Sequence, residues 1–468
     1  MRKRAQAFLK ARIWIRSLLR RYLSGEFLDY RQVIAIILPI IVDQAFVFGS
    51  NLINTAMISS AGVAAVSAVN MVDSVNIFLV SVFVAVSTGG TVVVAQYKGR
   101  GNHAMVSKAT AGSVTSVFAF AFGISLLFVL LHGPVLGFLF GRAAPDVMTN
   151  ARIYLIGSGL SYCGIALEES VCGALRGVGE ARSALSLSLI MNLSYVGFNL
   201  IFINVLHLGV LGMAISINLS RYLGAACALF YLMRVNTSLH FCGRDVFHVS
   251  FAMARQILFI GLPFAAEQMF FNGGKILTQI FIVGLGTYAI AVNAICNAVL
   301  GVTQIPGSAL LLSIVTVAGQ CMGYGSLKDT KKFIRSFMWL TAGSYVLTAL
   351  LMIPILSFMP ALFHPPASIL PTIAWIMFIT ALAQIPAWAP SFVLPSALRA
   401  AGDARFTSVV SMLSMWLFRL GMGILLGFVL KLGIAGFWFA MDAEWFVRGV
   451  VFLWRFRGEK WYAHSVIE

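Results

Sequence analysis

The chain has 468 residues, of which 60% are hydrophobic and only 10% are charged. Soluble domains carry roughly 25% charged residues, so this composition excludes an ordinary globular protein and predicts an all-α integral membrane protein. The net charge of +17 would suit a nucleic-acid-binding protein. The basic residues are concentrated in the loops of one side, however, so the charge reports membrane topology and no nucleic-acid partner is expected.

Twelve apolar stretches are long enough to cross a bilayer. They lie near residues 33–57, 70–96, 112–131, 152–174, 183–204, 209–233, 256–283, 288–318, 336–357, 369–395, 405–430 and 434–454. Alternating these spans puts most basic residues, Arg176 and Arg399 among them, on the side that holds both termini. The positive-inside rule makes that side cytoplasmic, so we expect a multi-pass protein of the cell (inner) membrane with both termini in the cytoplasm.

The polar stretches divide the chain into two lobes. Residues 1–31 are basic with apolar residues at helical spacing, which predicts either an amphipathic helix on the membrane surface or a frayed basic extension. Residues 234–255 predict a cytoplasmic linker between an N-lobe (32–233) and a C-lobe (256–455), and residues 456–468 predict a cytoplasmic tail.

The two lobes repeat one another in sequence. Residues 38–46 read LPIIVDQAF and residues 262–270 read LPFAAEQMF, so that a shift of 224, from 38 to 262, aligns Asp43 with Glu267. The same shift aligns AQYKGRG at 95–101 with GQCMGYG at 319–325, and a shift of 223 aligns ALRGVGEAR at 174–182 with ALRAAGDAR at 397–405. Six spans per unit predict parallel repeats around an axis along the membrane normal.

These repeated motifs, together with MDAEWFVR at 441–448, resemble the multidrug and toxic compound extrusion (MATE) family over residues 30–462. The resemblance implies twelve transmembrane helices in two pseudo-symmetric six-helix lobes around a central cleft. It also implies secondary antiport, in which H⁺ or Na⁺ enters as an organic cation leaves.

Two departures from the family pattern concern the coupling ion. Many relatives have Val-Asp-Thr late in the first helix, with the aspartate implicated in coupling, whereas this chain has Asn54 at that place. Either Asp43, three turns earlier on nearly the same face, replaces that acid, or coupling moves to Glu267. Relatives coupled through a later glutamate of the seventh helix have it where this chain has Phe271.

Asp43 and Glu267 are the leading candidates for ion coupling, because ionisable groups are costly at bilayer depth and usually face a partner or a water-filled cavity. Gln44 and Gln268 directly follow these acids. Together with Asn54 they either complete an ion or substrate site, or they hydrogen-bond to carboxylates whose role is only structural. Lys275 either pairs with an acid of another helix, repels a cationic substrate or snorkels to the interface.

The residues beside these acids are the candidates for a cavity that holds flat, apolar cations. They are Phe46, Met269, Phe270 and Phe271, although such side chains are also common on lipid-facing surfaces. Glu168 and Glu169 either attract cations into a vestibule or pair with Arg176. Glu444 and Arg448 form a structural pair four residues apart on the last helix.

The sequence therefore predicts an exporter of organic cations, drugs or other amphipathic small molecules, driven by H⁺ or Na⁺. The alternatives are a flippase for lipid-linked precursors, an exporter of one metabolite, or a channel or scaffold. With no HExxH or Gly-x-Ser-x-Gly motif and scattered histidines and cysteines, we expect no enzyme, no catalytic residue, no metal site, no disulfide and no cofactor besides the coupling ion. A monomer in the lipid bilayer is expected.

Overall fold

The structure is a computed structural model that describes residues 16–140, 144–239, 241, 250–363 and 366–462. Six helices cross the membrane in the N-lobe. They are α1 (Tyr30–Ile58), α2 (Val63–Gly99), α3 (His103–Leu130), α4 (Pro145–Val178), α5 (Ala181–Asn199, continued by Leu200–Val205) and α6 (Gly209–Phe230, continued by Tyr231–Val235). A short helix, His132–Phe140, precedes α4.

The C-lobe repeats this order with six further helices. They are α7 (Phe251–Gly284), α8 (Thr287–Thr303 and Ile305–Tyr324), α9 (Leu327–Phe363), α10 (Leu370–Trp388, continued by Ala389–Val393 and Leu394–Ala400), α11 (Ala404–Ser414, continued by Met415–Met422 and Leu425–Val429) and α12 (Gly433–Arg457). The predicted all-α fold of two six-helix lobes is confirmed. We call the membrane face that bears the start of α1 and the end of α12 the terminal face.

Hydropathy alone recognises nine of these helices as membrane spans among the described residues. The other three are α4, α7 and α12, and each carries one of the buried glutamates, Glu168, Glu267 and Glu444. Polar groups inside a span lower its hydropathy, so the spans that are hardest to recognise are those in which function is most to be expected.

The backbone repeats along with the sequence. Every described residue with a positive φ has a counterpart 223 or 224 positions away in the other lobe. The pairs are Gly62 and Gly286 (98° and 96°), Gly101 and Gly325 (75° and 87°), Gly179 and Gly402 (94° and 109°), His207 and Lys431 (52° and 56°), and Gly209 and Gly433 (53° and 58°). Left-handed residues set the direction of a turn, so the loops of both lobes share one geometry.

The lobes meet along α2 and α7, and they are tightly closed toward the terminal face. Gln96 Nε2 donates to the carbonyl oxygen of Ala400 at 2.7 Å, and Gln320 Nε2 donates to that of Gly177 at 2.8 Å. The repeat aligns the two glutamines, so each lobe donates the same bond to the other. We call this reciprocal pair of contacts the clasp.

The N-terminal segment joins the two lobes on the terminal face. Residues 16–23 are helical, and α9 holds the chain that follows them: Ser336 Oγ donates to the Tyr22 carbonyl oxygen at 2.7 Å, and Lys332 Nζ to that of Ser24 at 2.6 Å. The Ser24 hydroxyl donates to Asp29 at 2.8 Å and lowers the pKa of that carboxyl. Residues 1–15 of the predicted amphipathic helix, residues 240 and 242–249 of the predicted linker and residues 463–468 of the predicted tail lie outside the described residues.

Candidate transport site between the lobes

A cavity of about 230 Å³ lies where α2 of the N-lobe faces α7, α8 and α10 of the C-lobe. Its walls combine aliphatic side chains with a smaller set of polar and aromatic ones, namely Ser81, Thr88, Phe264, Gln268, Ser396 and Arg399. A mainly apolar cavity with a few fixed polar groups is the usual form of a small-molecule site. Of the predicted site residues, Gln268 lies in its wall.

Glu267 is neutralised by an arginine beside this cavity. Arg399 Nη1 donates to Glu267 Oε2 at 2.7 Å, Ser408 Oγ donates to the same oxygen at 3.0 Å, and the guanidinium lies 4.1 Å from the centre of the Phe264 ring. The expectation that Arg399 lies in a loop is wrong. The last segment of α10 continues to Ala400, so Arg399 belongs to a helix and has 4% of its surface exposed.

The matching positions of the N-lobe are arranged differently. Arg176, the counterpart of Arg399, forms its ion pair with Glu169. Asp43, the counterpart of Glu267, is close enough to interact electrostatically with Arg176 and Glu168, yet its buried Oδ1 has no hydrogen-bond partner within the described part of the chain. The buried Glu168 carboxyl accepts a hydrogen bond from the Cys172 thiol at 3.1 Å. Of the two matched acids, only Glu267 is therefore held by a guanidinium.

A second polar network occupies the N-lobe around Asn54. The buried Asn54 accepts a hydrogen bond from Asn199 at 2.9 Å, and Tyr195 lies close to both Asn199 and Tyr154. Tyr154 in turn donates to Asp73 Oδ1 at 2.9 Å. The chain of contacts continues beyond Asp73, which accepts a bond from Asn76 at 3.1 Å, while Tyr162 donates to Asn76 at 2.7 Å.

This network was not predicted from the sequence. The predicted second span begins at residue 70, which puts Asp73 at its edge, whereas α2 begins at Val63 and carries Asp73 almost three turns into the helix. Asp43 and Asn54 share a helix, but Asn54 bonds to Asn199 whereas Asp43 has Arg176 and Glu168 as charged neighbours, so Asp43 does not take over the contacts of position 54. Asp73 is the acid that is connected to Asn54.

Positive charge dominates the opposite part of the C-lobe. Glu444 pairs with Arg419 at 2.8 Å and with Arg448 at 2.8 Å. The predicted pair of Glu444 and Arg448 is therefore one of the two ion pairs in a buried triad. The Phe271 ring lies against both guanidinium groups, with its centre 5.2 Å from Arg419 and 6.0 Å from Arg448. Nε and Nη2 of Arg448 are buried and have no hydrogen-bond partner among the described residues.

Lys275 adds a further cation to this group. Its Nζ lies 4.8 Å from the centre of the same Phe271 ring, and Arg419 and Glu444 are its charged neighbours. Within the described chain it forms no salt bridge. By surface area the Lys275 side chain is exposed.

The remaining predicted lining residues lie outside the 230 Å³ cavity. Gln44 and Phe46 are half-buried on α1. Met269 and Phe270 are 44% and 49% exposed, and Phe270 packs edge-to-face on Trp416 at 6.2 Å. Their part in substrate binding stays a prediction.

The fold and this internally repeated site define a membrane transporter of two lobes. The MatE family model matches residues 39–203 and again residues 263–425, two segments whose starts differ by the same 224 positions as the sequence repeat. Together these segments cover more than half of the chain. The protein belongs to the MATE family of efflux transporters.

Named relatives agree with this assignment. The chain is 25% identical over 430 residues to the uncharacterized transporter YisQ of Bacillus subtilis, covering 90% of this chain and 93% of the relative. It is 23% identical to the probable multidrug resistance protein NorM of Thermotoga maritima, covering 96% of this chain and 97% of the relative.

Solved structures share the fold. The outward-facing conformation of a multidrug resistance MATE family transporter of the MOP superfamily superposes with a TM-score of 0.83 at 16% identity, covering 91% of this chain and 95% of that one. A point mutant of the Vibrio cholerae MATE transporter VcmN gives a TM-score of 0.82 at 18% identity, covering 93% of this chain and 98% of that one.

Proposed function

We propose that the protein exports an amphipathic organic cation through the cleft between its lobes, in exchange for H⁺ or Na⁺. The observation that carries the proposal is the difference between the two matched acids: Glu267 is paired with Arg399, whereas Asp43 is not directly paired. An acid without a fixed counter-charge can bind and release an ion. It can then bias one conformation by its differential affinity for that ion in the two states.

The charge of the surrounding N-lobe supports Asp43 as the coupling site. Three carboxylates, Asp43, Glu168 and Glu169, share one nearby guanidinium, that of Arg176. If all were ionised, the group would carry surplus negative charge inside the membrane, which is costly. A bound proton or Na⁺ removes part of that surplus, and so does an organic cation. Competition between the two for one acidic region is the physical basis of antiport.

The closed terminal face supports alternating access. The clasp seals the lobes on that side, and its contacts are hydrogen bonds between lobes rather than within them. Rocking of one lobe against the other would break both bonds together and open the cavity to the terminal face, which we take to be cytoplasmic.

The test is transport of a fluorescent organic cation in oriented proteoliposomes, with ΔpH and ΔNa⁺ imposed separately. Asp43→Asn should abolish gradient-driven movement, while Glu267→Gln should transport with the same ion dependence as the wild type. Loss of coupling in Glu267→Gln alone would move the coupling site to the C-lobe. Full coupling in both variants would make the two acids structural.

The C-lobe favours a second candidate substrate class, organic anions or zwitterions. Lys275 and the two unpartnered nitrogens of Arg448 offer donors to a carboxylate or phosphate beside the Phe271 ring. Vesicles loaded with an anionic dye distinguish the two classes. Anion movement that Lys275→Gln abolishes, and that the surface variant Arg234→Gln retains, would favour this second class.

A further inference from the structure

A second pocket lies on the terminal face, away from the cleft and from every group assigned to transport above. It has a volume of about 380 Å³, within the range of pockets that hold small ligands. The start of α9 and the end of α12 form its walls. We call it the basic pocket, and its lining residues are Lys331, Arg335, Met338, Leu453, Phe456 and Arg457.

The three cations of the basic pocket have no carboxylate partner in the described part of the chain. Of the acids near these elements, Asp329 accepts the backbone N–H of Glu26 at 2.5 Å, and Asp403 accepts two bonds from Arg455 at 2.7 and 3.0 Å. Glu459 interacts with the Tyr462 phenol and forms no salt bridge with the three cations. Three cations gathered around one cavity repel each other, so an anion in that cavity would relieve the repulsion.

Two tryptophans fix the depth of the basic pocket in the membrane. Trp339 lies one turn beyond Arg335 on α9 and is 78% exposed, and Trp454 lies one turn before Arg457 on α12 and is 69% exposed. Exposed indoles at the ends of membrane-spanning helices mark the level of the lipid headgroups. We therefore expect the mouth of the basic pocket to lie at the height of the lipid phosphates.

The walls of the basic pocket differ in polarity. The cations offer charge-assisted hydrogen bonds to phosphate oxygens, and Lys331 is held over the Tyr462 ring, 5.0 Å from its centre. Met338, Leu453 and Phe456 supply an apolar surface. A ligand that is anionic at one end and apolar at the other fits both kinds of wall.

We propose that the basic pocket binds the phosphate-bearing headgroup of an anionic membrane lipid, whose acyl chains run along α9 and α12. The site would lie wholly in the C-lobe, beside the α9 residues that hold the N-terminal segment. Free phosphate and the acidic end of the chain after Tyr462 are the two rival occupants.

Native mass spectrometry of the full-length protein, titrated with phosphatidylglycerol or with phosphatidylcholine of the same acyl chains, tests the proposal. The variant Lys331→Gln/Arg335→Gln/Arg457→Gln should lose phosphatidylglycerol affinity by roughly fivefold per cation, or on the order of a hundredfold in all. The matched control Lys108→Gln/Arg234→Gln/Arg255→Gln removes three exposed cations elsewhere on the terminal face and should retain wild-type affinity. Phosphatidylcholine should bind weakly to all three proteins.

Three results would overturn the proposal. Equal losses in the two triple variants would mean that the protein attracts anionic lipid only through its overall charge. Displacement of phosphatidylglycerol by millimolar inorganic phosphate would assign the pocket to a free anion. Increased lipid binding after deletion of residues 463–468 would assign it to the end of the chain itself.

Discussion

The clasp makes a sharp prediction about alternating access, because two glycines allow the lobes to approach. A Cβ on Gly99 would lie 2.0 Å from the carbonyl oxygen of Gln320, and a Cβ on Gly323 would lie 1.9 Å from that of Gln96. Both neighbours are backbone atoms, which cannot rotate away as a side chain can. Alanine at either position must therefore separate the lobes on the terminal face.

The size of the effect follows from these distances. Real Cβ atoms stay at least 3.0 Å from such atoms, so each alanine requires a shift of about 1 Å. Overpacking of this kind costs about 1–3 kcal/mol per site. Together the two substitutions cost about 2–6 kcal/mol, against the ~2.7 kcal/mol that brings a 99:1 equilibrium to 1:1 and the ~5.5 kcal/mol that converts it into 1:99. The double variant should thus populate mainly the state that is open to the terminal face.

The assay is a distance measurement between spin labels at Lys108 and Lys328, positions in different lobes on the terminal face, on a cysteine-free background. Gly99→Ala/Gly323→Ala should lengthen the distance and lower transport by roughly tenfold or more, since the closed state becomes rare. The control is Gly123→Ala/Gly343→Ala, since a Cβ on either of these helical glycines meets nothing within 4 Å. An unchanged distance in the first pair, or an equal change in both pairs, would refute the clasp.

Three further substitutions separate coupling from stability. Arg399→Gln leaves the buried Glu267 without its counter-charge and should cost about 3–5 kcal/mol, seen as a lower melting temperature in detergent that Glu267→Gln partly restores. Asp73→Asn should lower the melting temperature without changing the pH dependence of transport, and a lost pH dependence would transfer coupling to the Asn54 network. Glu169→Gln releases Arg176, which can then pair with Asp43. Coupling should be lost although Asp43 and Arg176 are both still present, and unchanged coupling would argue against Asp43 as the coupling acid.

The fold was predictable because the sequence repeats it. The aligned prolines, Pro39 and Pro263, and the two Gln…Gly-x-Gly loops define six-span units without any tertiary information. The backbone of the turns follows, since Gly101 and Gly325 adopt the same left-handed conformation. Local sequence is sufficient for such features, which depend on the conformation of single residues.

The partners of the charged residues were not predictable in the same way. The predicted tenth span ends at residue 395, which places Arg399 in a loop, and only the continuation of α10 to Ala400 brings it beside Glu267. The predicted second span begins at residue 70 and places Asp73 near its edge, whereas α2 begins at Val63. Both errors arise from helix boundaries, where hydropathy is least informative because the terminal turns are polar.

A difference between the lobes at one matched position bears on the proposal that Asp43 is the coupling acid. Arg176 and Arg399 occupy matched positions, and so do Asp43 and Glu267. At position 169 the N-lobe has a glutamate, where the C-lobe has Phe392, which packs against Trp388 and Trp445 instead. The extra glutamate takes up the N-lobe arginine, and Asp43 is left with a buried oxygen that has no partner among the described residues. If Asp43 is the coupling acid, as proposed, this break in symmetry confines the ion site to the N-lobe, while both lobes keep the repeated fold that lets them move against each other.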